Sequence, residues 1–213
     1  MTGKFVTFEG CEGVGKSTQV KKLKEYLVSR GINAVFTREP GGTPISEQIR
    51  TIILDPENKS MDDVTELMLY AAARRQHTQE FIKPRLENGE TVICDRYIDS
   101  TTAYQGYARG LGSETVENLN ALAVGDVNID LTIFLDLSPE RAFDRKGGRD
   151  EGDRLENEKM EFHKRVYDGF CKIAEKYPGR VVRVDASGSK QQTHEKIIKT
   201  LIERGIIPAE NDK

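Results

Sequence analysis

The sequence predicts an α/β fold, a parallel sheet covered by helices on both faces. Two observations predict it. Short apolar runs of strand character alternate with segments of helical periodicity along the chain, and strands separated by helices pair in parallel. The first such strand runs directly into Gly10-Cys11-Glu12-Gly13-Val14-Gly15-Lys16-Ser17, a G-x-x-x-x-G-K-[ST] loop that requires a strand before it and a helix after it.

The elements follow in order. Residues 4–9 read as a short buried strand. Residues 18–30 read as a helix, because Val20, Leu23, Leu27 and Val28 fall on one stripe. Residues 33–37, entered through Gly31, form a second strand. Residues 45–54 are helical, with Ile45, Ile49, Ile52 and Ile53 as the apolar side. Residues 62–87 read as one long helix, with Asp62 near its start and Asn88-Gly89 closing it. A strand at 91–95, a helix at 113–124, an apolar strand at 131–137 and a helix from Pro139 to about 145 come next. A long helix is expected over 155–177, stopped by Pro178-Gly179, then a last strand at 180–185 and a last helix at 190–204. The tail from Pro208 is polar and expected to fray. No repeat, low-complexity stretch or linker interrupts the chain, so 1–213 is expected to be a single domain.

Bulk properties narrow the function. With 213 residues, 37% hydrophobic and 31% charged, the chain has the make-up of a cytoplasmic globular enzyme. Its apolar runs are too short to span a bilayer. A strand beginning this close to the N-terminus argues against a signal peptide. A net charge of −3 gives no general attraction for nucleic acid. Cys11, Cys94 and Cys171 have no C-x-x-C spacing, so they are expected to be reduced thiols. Cys11 reads as a small filler of the loop, with a reactive thiol as the alternative.

The glycine-rich loop carries the first chemistry. Its glycines let the backbone curl so that successive N–H groups point at one phosphate. Lys16 brings a cation to the outer phosphates and is expected to face solvent when no ligand is bound. The Ser17 hydroxyl suits a magnesium ion, and the helix after it presents its positive end to the same anion. Gly10 to Thr18 are therefore the candidate ATP-binding residues. Asp95 ends an apolar strand, where an acid can hold magnesium through water, and Arg96 lies beside it. Between two helices, the segment 145–154 carries Arg145, Arg149 and Arg154 among glycines and acids. It reads as a mobile lid at about 145–156 whose arginines meet charge developing in phosphoryl transfer.

Other phosphate-loop classes fit less well. A guanine-selecting N-K-x-D is absent from the sequence, and Asp185-Ala186-Ser187-Gly188 matches D-x-x-G only after the last strand. A deoxynucleoside kinase would need a base to take a hydroxyl proton, whereas arginines after strands two and three suit an acceptor that already carries a phosphate. A nucleotide-dependent regulatory switch is the remaining alternative.

Three stretches carry a resemblance. Phe8-Glu9-Gly10 with the loop through Thr18, Thr37-Arg38-Glu39-Pro40-Gly41-Gly42-Thr43, and Asp95-Arg96-Tyr97-Ile98-Asp99-Ser100-Thr101-Thr102-Ala103-Tyr104-Gln105-Gly106 together resemble the thymidylate kinases of bacterial type. The resemblance implies the nucleoside monophosphate kinase fold, with a five-stranded parallel sheet in the order 2-3-1-4-5. It implies transfer of the γ-phosphoryl group of ATP to dTMP with magnesium, and a homodimer packed through helices. Residue by residue, it implies that Glu12 contacts the deoxyribose 3′-hydroxyl. Arg38, Arg50 and Arg96 would hold and position the acceptor phosphate, beside Glu39 and Pro40. Tyr70 would stack on thymine and Arg74 reach its carbonyl, while Thr101, Tyr104 and Gln105 read the base edge and crowd the 2′ position. Gly13 stands where another subgroup has an arginine, which places the chain with members that use a lid arginine, Arg149. The catalytic set is then Lys16, Arg96, Arg149 and Glu12, and the metal set Ser17 and Asp95.

Overall fold

In the computed structural model, which describes residues 3–146 and 153–209, all five expected strands form, with ends moved by one or two residues. The chain opens with β1 (Phe5–Glu9), α1 (Lys16–Ser29), β2 (Val35–Arg38), α2 (Pro44–Leu54) and α3 (Asp63–His77). A π-helical turn π1 (Thr78–Ile82) leads into α4 (Lys83–Glu87), then β3 (Val92–Asp95), α5 (Ile98–Thr101) and a second π-helical segment π2 (Thr102–Ala108). The rest is α6 (Ser113–Val124), β4 (Leu131–Asp136), α7 (Pro139–Lys146), α8 (Met160–Lys176), β5 (Val181–Asp185) and α9 (Lys190–Glu203).

The sheet is parallel with strand order β2-β3-β1-β4-β5, the order implied by the resemblance. All five side chains of β1 are buried, as expected of a central strand covered on both faces. Register matters for the site. Phe8 lies opposite Asp95, and Arg38 opposite Asp95 on the far side. The loops leaving β1, β2 and β3 therefore emerge together at the carboxyl ends of the strands, where open α/β sheets bind ligands.

Three readings of the helices need correction. The helix over 62–87 does not run uniformly. Asp62 caps it, its carboxylate accepting from Val64 N at 3.0 Å and Thr65 N at 3.1 Å. The ladder then widens at π1, where the Lys83 N–H bonds to Thr78 O, one residue before Pro84, which has no N–H to give. The helix expected from 155 starts at Met160, and 154–157 are turn. Finally, 98–108 is helical though no helix was expected there. Nearly all of π2 is buried, so it shows no polar face and no 3.6-residue period. It packs on α8 at Gly169, where an added Cβ would stand 3.1 Å from Ala103 Cα.

Candidate active site

Short backbone geometry builds the phosphate loop. Gly13 and Gly15 have φ of 74° and 96°, values that side chains other than glycine rarely adopt. Lys16 does not reach solvent, contrary to expectation. It is 7% exposed and folds back, donating to Gly10 O at 3.0 Å and Cys11 O at 2.8 Å. Burial, then the nearby Arg96 charge, lowers its pKa below the usual lysine value. Cys11 is the filler: its side chain is buried, and burial pushes its thiol up to about 12.

The turn after β3 meets this loop. Arg96 has φ 69°, left-handed backbone that costs a non-glycine residue of order 1 kcal/mol or more. Its guanidinium donates to Gly10 O at 3.1 Å, Ser100 Oγ at 3.0 Å and Glu12 Oε2 at 3.0 Å. Glu9 braces the turn from behind, accepting from Tyr97 N at 2.8 Å and Ser100 Oγ at 2.6 Å. Burial, followed by the neighbouring Asp99 charge, raises the Glu9 carboxyl to about 8. Asp99 is itself gripped by Arg180 at 2.6 and 2.8 Å.

On the β2 side, Arg38 and Arg50 both donate to Pro40 O, at 3.0 and 2.7 Å, so two guanidinium groups converge on one turn. Glu39 points the other way and is buried. It accepts from Arg74 Nε at 2.8 Å and lies 3.0 Å from His77 Nδ1. Arg74 further donates to Asn120 Oδ1 at 2.6 Å and Tyr97 O at 3.0 Å. Three of its five N–H groups are thereby committed to the protein, which leaves two for a ligand. Across the cavity, Gln105 Nε2 donates to Glu66 Oε1 at 2.6 Å.

These side chains line one cavity of about 450 Å³. Every expected substrate residue is in its wall: Glu12, Arg38, Glu39, Pro40, Arg50, Tyr70, Arg74, Arg96, Thr101, Tyr104 and Gln105. Of the loop, Gly13, Gly15, Lys16, Ser17 and Thr18 line it with Asp95, while Gly10, Cys11 and Val14 lie behind. Among the buried polar atoms of the wall, Asp95 Oδ1 and Thr101 Oγ1 have no hydrogen-bond partner among the described residues. Sequence reasoning missed Tyr97, Ser100, Asp153 and His163, which also line the cavity. Tyr97 and Ser100 sit inside the quoted motif and Asp153 inside the expected lid, so all three were within reach; nothing local marks His163.

The lid arginines separate. Arg149 lies outside the described residues. Arg145 donates to Ala186 O and Ser187 O, both at 2.7 Å, and to Gly188 O at 3.1 Å, which ties α7 to the loop after β5. Arg154 turns inward, donating through Nε to Ile53 O at 3.1 Å and pairing with Glu66. Among the described residues no helix is long and apolar enough to cross a membrane.

Comparison with known proteins identifies the family. The family model for thymidylate kinase matches residues 8–197. A thymidylate kinase of Thermoanaerobacter sp. (strain X514) is 46% identical over 198 residues, which are 93% of this chain and 97% of the relative. That of Geobacter sp. (strain M21) is 49% identical over 197 residues, 90% of this chain and 88% of the relative. The crystal structure of thymidylate kinase from Ehrlichia chaffeensis superposes with a TM-score of 0.76 at 38% identity, covering 94% of this chain and 99% of that one. With a family model spanning most of its length, and relatives this similar from end to end, the chain belongs to the thymidylate kinase family.

Proposed function

We infer that this chain transfers the γ-phosphoryl group of ATP to dTMP, giving dTDP and ADP, with both nucleotides in the one cavity. Family membership supports the reaction; the residue roles are read from the geometry. The observation that carries them is that Lys16, Arg38, Arg50 and Arg96 line one cavity together with Tyr70, Arg74 and Gln105. Cations together with an aromatic plane and polar groups on one cavity suit a nucleotide held by phosphate and base.

The acceptor phosphate has a second pKa near 6, so it arrives mostly as a dianion and needs no strong base. Catalysis then rests on positioning and charge neutralisation. Lys16 leaves its two loop carbonyls to meet the donor phosphates. Arg96 reaches the P-loop carbonyl, Glu12 and the cavity at once, so it stands where the transferring group passes. Arg38 and Arg50 hold the acceptor phosphate from the β2 turn. Glu12 faces the acceptor sugar while paired with Arg96. Tyr70 lies against the base.

The residues present fit a magnesium ion. Asp95 offers an unpartnered buried carboxylate oxygen, and Ser17 a hydroxyl on the same cavity. No cluster of three or more His, Cys, Asp or Glu suited to a metal occurs among the described residues, so the phosphates and water would supply the other ligands, as magnesium prefers. Bound there, the ion would neutralise charge on the donor's outer phosphates.

We further propose a lid over about 145–156 with Arg149 as its catalytic cation, a cytoplasmic enzyme, and a homodimer. Support for the dimer is an apolar surface on α2 and α3, where Ile45, Ile52, Val64 and Met68 are 51%, 49%, 44% and 61% exposed. On the same two helices, Ile53 and Leu67 are core residues and lie outside that surface. The test of the function is a screen of nucleoside monophosphates with ATP and magnesium. Turnover strongly favouring dTMP is expected, and turnover indifferent to the acceptor would overturn it.

A further inference from the structure

Glu66 lies on α3, one turn before Tyr70 and two before Arg74, and is fully buried. A carboxylate removed from water must be met by donors. Oε1 accepts from Gln105 Nε2 at 2.6 Å and from Arg109 Nε at 3.4 Å. Oε2 accepts from Arg109 Nη2 at 3.3 Å and pairs with Arg154. Both oxygens are thus acceptors facing two guanidinium groups.

That fixes the Gln105 amide. Facing a carboxylate, Gln105 must present its NH2, because its carbonyl has nothing to donate. Its Oε1 is left over; it bonds to no described residue, and Gln105 lines the cavity. The base end of the cavity therefore offers one acceptor from Gln105 and donors from the two unused N–H groups of Arg74. Thymine presents a donor at N3–H beside an acceptor at O4. Cytosine presents an acceptor at N3 beside a donor amine, the reverse at both positions.

We propose that Glu66 sets the choice of pyrimidine by locking Gln105 with its oxygen toward the base. The proposal rests on the reading that this end of the cavity takes the acceptor's base. Glu66 touches no substrate; it is a positioning residue.

The test is Glu66→Gln in the full-length enzyme. Arg109 and Arg154 hold the oxygen of the new amide, so its NH2 takes the place of Oε1 and faces Gln105. Gln105 then turns over and points its own NH2 at the base. With ATP and magnesium, KM for dTMP and dUMP should rise together about 10- to 100-fold, the cost of opposing two buried donors. The kcat/KM for dCMP relative to dTMP should rise at least about tenfold, and KM for ATP should stay within about twofold. If the carboxylate merely stabilises the fold, all three acceptors fall by one factor, and that result overturns the proposal, as does an unchanged KM for dTMP. Should Glu66→Gln fold poorly, Glu66→Asp keeps the charge for the arginines but shortens the reach to Gln105. Its dCMP-to-dTMP ratio should also rise, and an unchanged ratio overturns the proposal. Gln105→Ala separates the two readings. If it leaves KM for dTMP unchanged, the pocket assignment itself is wrong. If it raises KM while both Glu66 variants keep the parent ratio, only the role of Glu66 fails.

Discussion

Single side chains in this site have unequal duties, and substitutions should show it. Lys16→Ala removes a cation that meets phosphate charge in the transition state, so turnover is expected to fall by at least about 10²-fold. Steady-state assays on a variant whose circular dichroism matches the parent check this; activity within twofold of the parent would remove Lys16 from the mechanism. Arg74 behaves differently from a simple base reader. Its guanidinium is the partner of the buried Glu39 carboxylate at 2.8 Å, and breaking such a pair costs about 3–5 kcal/mol. Arg74→Ala should therefore lower Tm as well as dTMP affinity, whereas Gln105→Ala, which leaves Glu66 paired with Arg109 and Arg154, should raise KM for dTMP about tenfold with a smaller loss of Tm. Thermal melts beside kinetics distinguish the two. The resemblance named Arg74, Gln105 and Arg96, and all three line the cavity. It did not disclose Glu66, Glu39–His77 or Glu9 as the groups that aim them, because a buried partner 35 or more positions away leaves no local pattern.

At the scale of elements, the strands were legible because each is an apolar run bounded by turn residues. Helices with an exposed face, such as α1 and α2, were legible from their stripe. The segment 98–108 was not, since burial on all sides erases the period that sequence reading relies on. Behind that segment, the Glu9 brace has a consequence for pH. Its carboxyl is raised to about 8 in the fold, against an ordinary value of 4.5. The folded state then binds the proton more tightly than the unfolded chain between those values. This contribution is fully present below about 4.5 and is lost as pH rises through 8. Glu9→Gln, which keeps shape without ionising, should therefore gain stability relative to the parent as pH rises from 5 to 8. Chemical denaturation across that range checks it, and parallel stability curves would refute it. Contact between elements also constrains Gly13. Its φ is 74°, and a Cβ there would meet Ala142 O of α7 at 3.1 Å. A side chain at this position should displace α7 and raise KM for ATP more than KM for dTMP.

For the whole molecule, association and closure are the open quantities. Met68→Glu with Ile52→Glu places charge on the exposed apolar surface of α3 and α2, and light scattering at micromolar concentration should show a dimer become a monomer. A monomeric parent would remove the dimer outright. Arg145 holds the 186–188 backbone and Arg154 pairs with Glu66; the lid arginine proposed to meet charge in phosphoryl transfer is Arg149. Arg149→Ala should lower kcat by about 10³-fold or more with dTMP KM little changed. An intact kcat would mean that this segment is a solvated loop.

The strand order has one further meaning. β2 and β3 sit on one side of β1, and β4 and β5 on the other. Of the cavity residues assigned to the acceptor, all but Glu12 come from the stretch between Arg38 and Gln105, while α7 and the loop after β5 belong to the opposite half. On the proposed roles, acceptor recognition then falls, Glu12 apart, within one block of chain, which also carries Asp95 and Arg96. Exchange of that block by recombination is expected to alter which monophosphate is accepted while leaving β1, β4 and β5 in place, with β1 as the seam.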